Sequence, residues 1–244
     1  MGHHLRKIST KAPDKVKKEK IKKETAELVA ELGELQNKMF AEGKHSLLII
    51  LQGMDASGKD GVIRKVFEAV NPQGIKVVSF KKPTPEEMQH DFLWRVHAHA
   101  PARGTMCIFN RSHYEDVLIQ KVHKWVDKDT ILRRYTYINQ FEALLTENDT
   151  SILKFYLHVS PEKQMERLTD RMNDDTKKWK HNDNDLKERE LWSEYMEAYE
   201  GALNYCPGWN IIPADNSWYK EYLIVKKIVE TLRSLKMRYP GFKV

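Results

Sequence analysis

In the stretch QGMDASGKDG, residues 52–61, four residues separate Gly53 from Gly58 and Lys59 follows directly. Glycines let backbone N–H groups turn inward around an anion. A helix starting just after them presents its positive end, and a lysine adds a compact charge, so G-x-x-x-x-G-K is chemistry for a phosphate. Ala56, Ser57 and Gly61 belong to the same predicted cradle. The pattern departs from the usual one at a single place: the Ser or Thr that follows the lysine, and whose hydroxyl ordinarily meets Mg²⁺, is Asp60. A hard cation takes carboxylate and water oxygens, so Asp55 inside the loop is expected to hold Mg²⁺, directly or through a water. Asp60 is either a further group of that kind or a partner for the helix dipole.

A second cluster, FNRSHYEDV, follows another apolar run. Arg111 could clamp a phosphate bidentately, and Glu115 or Asp116 could assist with metal or nucleotide. A Walker B strand would end in Asp; this one ends in Asn110, which moves the metal work toward Asp55. Lys81 and Lys82 come after a further strand. Arg167 and Arg171 lie four apart on one helix face, and Lys177, Lys178 and Lys180 crowd the polar stretch beyond. A solvated charged face is the simpler reading of such a run. Its position, where kinases carry a lid that closes on phosphates, favours a lid over about 161–190. His97 and His99, two apart, diverge rather than converge on zinc, and SHYED is not H-E-x-x-H. The tryptophans and Tyr135 and Tyr137 are core or interface residues, with Trp179 in the lid the exception.

These groups need a scaffold that gathers them. LLIIL (47–51), IKVVSF (75–80), TMCIFN (105–110), ILKFYLHV (152–159) and WNIIPAD (209–215) read as five short buried strands separated by helical patterns. Thr84, Pro85 and Glu87 predict a capped helix to about His97, and Ser160–Pro161 start another. A further helix is expected from about Leu186 to Tyr205. Such a series makes a parallel sheet of about five strands with helices on both faces, its sites at the carboxyl ends of the strands. Residues 1–24 are lysine-rich and read as a basic, solvated arm, with one domain over 25–244.

The 244 residues carry a net charge of +6 and 31% charged side chains. No apolar run approaches the roughly 18 to 20 residues that span a bilayer. Cys107 and Cys206 fit neither a metal spacing nor a disulfide framework, so a cytoplasmic protein is expected. The positive charge favours an anionic partner without choosing among nucleotide, longer polyanion, anionic lipid surface and nucleic acid.

GMDASGKDG, FNRSHYEDVLI, LKFYLHVS, the DDTKKWK…DLKERELW segment and IIPADNSWY, in that order, resemble the polyphosphate kinase 2 family of P-loop kinases. The resemblance runs from about Lys44 to Tyr219. It implies a three-layer P-loop kinase fold with a helical lid, and transfer of phosphate from inorganic polyphosphate to AMP, ADP or both, giving ADP and ATP with Mg²⁺. NRSHYEDV is similar to the branch that accepts both nucleotides. The resemblance assigns Asp55 and Lys59 to the Walker A site, Arg111 and Glu115 to the second motif, and Arg167 and Arg171 to a lid that grips the donor. It also implies a homo-oligomer. On this reading the polymer threads past Lys81, Arg167, Arg171 and the lid lysines, which accounts for a basic set larger than one nucleotide requires. An ATP-dependent nucleotide kinase and a non-catalytic nucleic-acid binder are the rival readings, the latter less favoured.

Overall fold

The computed structural model describes residues 2–176, 178–180 and 184–241. Five strands, β1 (Ser46–Gln52), β2 (Ile75–Ser79), β3 (Met106–Asn110), β4 (Thr150–His158) and β5 (Trp209–Pro213), form one parallel sheet in the order β2-β3-β1-β4-β5. Every residue of β1 is buried, as its continuous apolar run requires of a central strand covered on both faces. Leu47 pairs with Met106 on one side and Ser151 on the other, so β1 lies where the chain order reverses direction across the sheet. Open α/β sheets form a crevice at the carboxyl end of that position.

Helices cover both faces. α1 (Lys18–Glu42) packs along α9 (Ser217–Ser234), joined by a two-pronged pair from Arg233 to Glu31 and by Tyr222 Oη to Glu24 at 2.8 Å. A Cβ at Gly33 of α1 would meet the Ala69 carbonyl oxygen at 2.5 Å, so only glycine permits this approach of helix to loop. The remaining helices are α2 (Lys59–Val66), α3 (Trp94–His97), α4 (Glu115–Val122), α5 (Lys128–Glu147), α6 (Pro161–Asn173), α7 (Asn184–Glu190) and α8 (Trp192–Tyr205). Asp127 caps α5 by accepting from Thr130 N–H, and Ser160 caps α6 by accepting from Lys163 N–H. Among the described residues, no helix is long and apolar enough to cross a membrane.

Three expectations need correction. The capping box at Thr84–Glu87 forms, with Thr84 N–H to Glu87 Oε2 at 2.8 Å, yet only a 3₁₀ turn over Glu87–Gln89 follows, and the chain is extended at His90. The stretch EEMQHD has no apolar stripe to bury, and Met88 is 63% exposed, so a cap alone does not sustain a helix there. The helix expected from Leu186 is two helices, α7 and α8, broken at Leu191. The basic arm is not simply solvated. α1 already begins at Lys18, and before it Leu5 is 1% exposed, Thr10 Oγ1 donates to Asp215, and Ala12 N–H donates to Asn216.

Candidate phosphate-transfer site

The chain leaves β1 through residues 53–58 and enters α2 at Lys59. Gly53 (φ +153) and Gly58 (φ +95) hold backbone conformations that favour glycine, and a Cβ on Gly53 would meet the Leu157 carbonyl oxygen at 2.8 Å. Ala56 sits at φ +58, an uncommon position for a side-chain-bearing residue and one found where loops serve function. The first intrahelical bond of α2 runs from Val62 N–H to the Gly58 carbonyl at 3.2 Å. The amides before it therefore make no bond within the helix and lie at its positive end. Gly61 lies on the open side of α2, with nothing within 4 Å of a Cβ built there.

Lys59 is 8% exposed, its ammonium donating to the carbonyls of Gly53 (2.7 Å) and Met54 (3.2 Å). Burial and then Arg111 lower it to about 8, against the pull of Asp55, Glu115 and Asp60. Arg111, just past β3, is held at φ +61 with its amide bonded to the Leu51 carbonyl at 3.0 Å, which turns its side chain back over the loop. One guanidinium nitrogen, Nη2, bonds Asp55 Oδ1, and the other, Nη1, lies 3.8 Å from Glu115 Oε2. Burial would raise the Asp55 carboxyl, yet Arg111, Lys59 and Arg171 together hold it below its ordinary value. For Arg111, burial opposes the charge, while Glu115 and Asp55 more than restore it. The result is a partly buried cluster of alternating sign at the mouth of an anion cradle.

Asp60 faces outward from the first turn of α2 and accepts from Asn110 Nδ2 at 2.9 Å. With its amide turned to satisfy both neighbours, Gln52 donates to Glu115 Oε1 at 3.0 Å and accepts from Ser112 N–H. Sequence reasoning passed over Gln52 because a glutamine ending a strand carries no motif signal.

The other predicted residues separate into near and far. Asp116 faces away from the loop, buried beside Arg95 (3.8 Å) and Arg134 (3.9 Å) on the far side of α4, where burial pushes its carboxyl up to about 6. Adjacent residues on a helix point about 100° apart, so Glu115 and Asp116 could not both face the cradle. Arg167, expected along the donor path, meets the phosphate loop itself. Its Nη1 donates to the carbonyls of Ala56 and Ser57, both at 3.0 Å, and its Nη2 to those of Ala214 and Asp215, bracing the loop from behind. Arg171, one turn on, pairs with Asp185 of α7 at 3.5 Å. Lys81 is exposed, and its carbonyl accepts from Arg95. Lys178 is exposed and pairs with Asp175. Lys177 and residues 181–183 fall outside the described residues.

The segment that carries Arg171 folds back over the cradle through a second set of contacts. Arg189 of α7 donates to the Pro161 carbonyl and to Gln164 Oε1, both at 2.8 Å, and Gln164 in turn donates to the Asp55 carbonyl at 3.0 Å. Glu188 accepts from Tyr195 Oη at 2.6 Å and lies 3.1 Å from Nε2 of His123, just past the end of α4. Lys220 of α9 donates to the Ser57 and Gly58 carbonyls at 3.1 and 3.3 Å, from a position the sequence marks only as one lysine in an amphipathic helix.

Several known proteins are similar to this chain over most of its length. The family model described as polyphosphate kinase 2 matches residues 15–240. An AMP/ADP-polyphosphate phosphotransferase from Meiothermus ruber is 47% identical over 214 residues, covering 86% of this chain and 80% of the relative. An ADP-polyphosphate phosphotransferase from Rhodopseudomonas palustris is 41% identical over 228 residues, covering 87% and 79%. The crystal structure of polyphosphate kinase 2 from Arthrobacter aurescens superposes with a TM-score of 0.96 at 39% identity, covering 100% of this chain and 89% of the other.

Proposed function

The chain belongs to the polyphosphate kinase 2 family, and on that premise we propose that it moves the terminal phosphoryl group of inorganic polyphosphate onto AMP and ADP. The observation that carries the reading is the Asp55–Arg111–Glu115 cluster over a glycine loop with Lys59 buried beneath it. An oxygen of the nucleotide's last phosphate forms a bond to the terminal phosphorus of the polymer. The bridging P–O bond breaks, and the shortened polymer leaves with the electron pair. AMP thus becomes ADP, and ADP becomes ATP, in successive transfers.

Such a reaction asks the protein for alignment and charge compensation more than for covalent chemistry. Backbone amides at the start of α2 and the Lys59 ammonium would hold one phosphate. Arg111, kept charged by its two carboxylates, would neutralise the equatorial oxygens as charge spreads over them. Lysines of the 161–190 segment would carry the rest of the polymer.

Among the described residues, no group of three or more His, Cys, Asp or Glu side chains forms a metal cage. Mg²⁺ needs none, since it is commonly bound by one or two carboxylates together with waters and substrate phosphates. Asp55, whose depressed carboxyl stays ionised, fits that mode, and Glu115 across Arg111 is the next nearest candidate. When bound, the ion would offset phosphate charge on the donor and acceptor oxygens.

Self-association into a homo-oligomer and a cytoplasmic location belong to the same proposal. The first is supported by the family likeness. The second is supported by two buried free thiols, Cys107 and Cys206. Incubating the purified chain with AMP and long-chain polyphosphate, without ATP, should yield ADP and then ATP by chromatography. Turnover only when ATP is supplied as donor would instead establish the ATP-dependent nucleotide kinase.

A further inference from the structure

The underside of the phosphate loop is held by two cations that come from distant parts of the chain. Lys220, in the first turn of α9, is 1% exposed. Its ammonium donates to the carbonyls of Ser57 (3.1 Å) and Gly58 (3.3 Å). Arg167 takes the carbonyls of Ala56 and Ser57 beside it. The approach is close: a Cβ on Gly58 would lie 2.2 Å from Lys220 Nζ, so the glycine at φ +95 serves the lysine behind the loop as well as the turn. Among the described residues no carboxylate forms an ion pair with Lys220. Burial, with Arg167 adding to it, lowers the ammonium to about 7.

A buried ammonium satisfied only by neutral carbonyls is a costly arrangement. Its geometry shows what it accomplishes. Three successive peptide carbonyls, those of Ala56, Ser57 and Gly58, are drawn to one side of the loop. In a tight loop each peptide plane carries its carbonyl and the following amide in opposite directions. Drawing the carbonyls of Ser57 and Gly58 downward therefore turns the amides of Gly58 and Lys59, at the entry to α2, upward, while the Ser57 amide is taken by the Met54 carbonyl at 3.1 Å. The same positive charge lies beneath the anion, screened from water, where it acts at low dielectric.

We infer that Lys220 is a positioning residue of the phosphate site, which fixes the Ser57 and Gly58 peptide planes from behind so that the amides that follow face the bound phosphate. The inference rests on reading the loop as a phosphate cradle and adds a group that no sequence motif marks. Lys220 does not touch substrate. It acts through the backbone that does.

Inorganic tripolyphosphate binding, measured by calorimetry at pH 7 on the full chain, tests this alongside turnover and thermal unfolding. Lys220→Met should weaken tripolyphosphate binding about tenfold and lower kcat about tenfold while leaving Tm unchanged or higher, because an unpaired buried charge has been removed. Lys220→Gln, which keeps an N–H donor without the charge, should recover part of both losses. A variant that loses Tm but binds and turns over normally in its folded fraction would reduce Lys220 to a packing role and overturn the inference. Lys59→Met separates the two levels of the argument. If wild type binds tripolyphosphate, Lys59→Met weakens it and Lys220→Met does not, the positioning role alone fails. If Lys59→Met has no effect, or wild type does not bind, the cradle itself fails.

Discussion

Asn110 Nδ2 donates to Asp60 Oδ1 at 2.9 Å, so the two residues that depart from the usual P-loop kinase pattern touch each other. Asp60 stands where a hydroxyl is ordinary, and Asn110 stands where a strand-ending Asp is ordinary. An aspartate at both positions would set two carboxylates in contact, and one of them would be driven toward its protonated form. The exchange of amide for carboxylate at 110 makes the aspartate at 60 tolerable.

That pairing predicts a compensating swap. Asn110→Asp should destabilise the fold by about 0.5–1 kcal/mol through like-charge contact and the lost bond. Adding Asp60→Asn should restore most of that loss, because the bond re-forms with donor and acceptor exchanged. Urea unfolding of the wild type, both single variants and the double variant gives the coupling energy directly. Strictly additive effects would show that the contact contributes nothing.

The Asp55–Arg111 pair makes a prediction about turnover. Asp55→Asn keeps the size of the side chain and removes its charge, and should reduce kcat by about 10²–10³ with Tm within a few degrees of wild type. Arg111→Lys should lose nearly as much as Arg111→Met, because a lysine cannot meet Asp55 and Glu115 with two separate nitrogens. Asp55 has a folded pKa below the unfolded value of 3.8, so its contribution to stability is present above that value and is lost as pH falls through the folded one. Turnover near pH 5 should therefore show no acid limb from this carboxylate.

How far these residues could be read from sequence depends on how local their signals are. Gly53, Gly58 and Lys59 announce themselves because the geometry of a turn is written in consecutive residues. Arg111 could be found because it follows a strand that had to end at the active edge. Lys220 could not, since its partner Ser57 lies 163 residues away and its own helix would look the same with the lysine in water. The contacts of Arg167 were hidden for a related reason. Its place on a charged helix face is local information, but the four carbonyls that occupy it come from two other loops. The five strands were legible because buried parallel strands are short, apolar and bounded by breakers. The 84–97 segment was not, because a cap announces a start without supplying the apolar face that sustains a helix.

Asp116 gives a pH-dependent prediction of opposite sign to Asp55. Its folded pKa is raised to about 6, since burial outweighs Arg95 and Arg134 at 3.8–3.9 Å. A carboxyl raised on folding contributes stability that is complete below its unfolded value, near 3.8, and is lost as pH rises through the folded one. Asp116→Asn, neutral at every pH, should match wild type below about pH 4 and exceed it increasingly up to about pH 6, with a constant gain above. Tm measured from pH 4 to 8 on both proteins checks this. A variant less stable than wild type at pH 8 would mean that the two arginines outweigh burial.

The segment ahead of α1 predicts that residues far from the chemistry support it. Leu5 is 1% exposed, its N–H bonds Glu200 at 2.7 Å, and its carbonyl lies 3.1 Å from His158 Nε2 at the end of β4. A few residues on, Thr10 bonds Asp215, whose other oxygen accepts from Ser160 N–H at the start of α6. The Asp215 carbonyl is also one of the four that hold Arg167 against the loop. Leu5→Ala leaves a cavity under this chain of contacts and should cost about 2–4 kcal/mol in urea unfolding. Thr10→Val removes only the hydroxyl bond and should cost about 1 kcal/mol. It should also weaken tripolyphosphate binding more than Leu5→Ala does in its folded fraction, since Thr10 reaches the loop through Asp215 and Arg167 whereas Leu5 ends at His158. Equal binding by the two variants would separate this segment from the phosphate site and leave it a purely structural clasp.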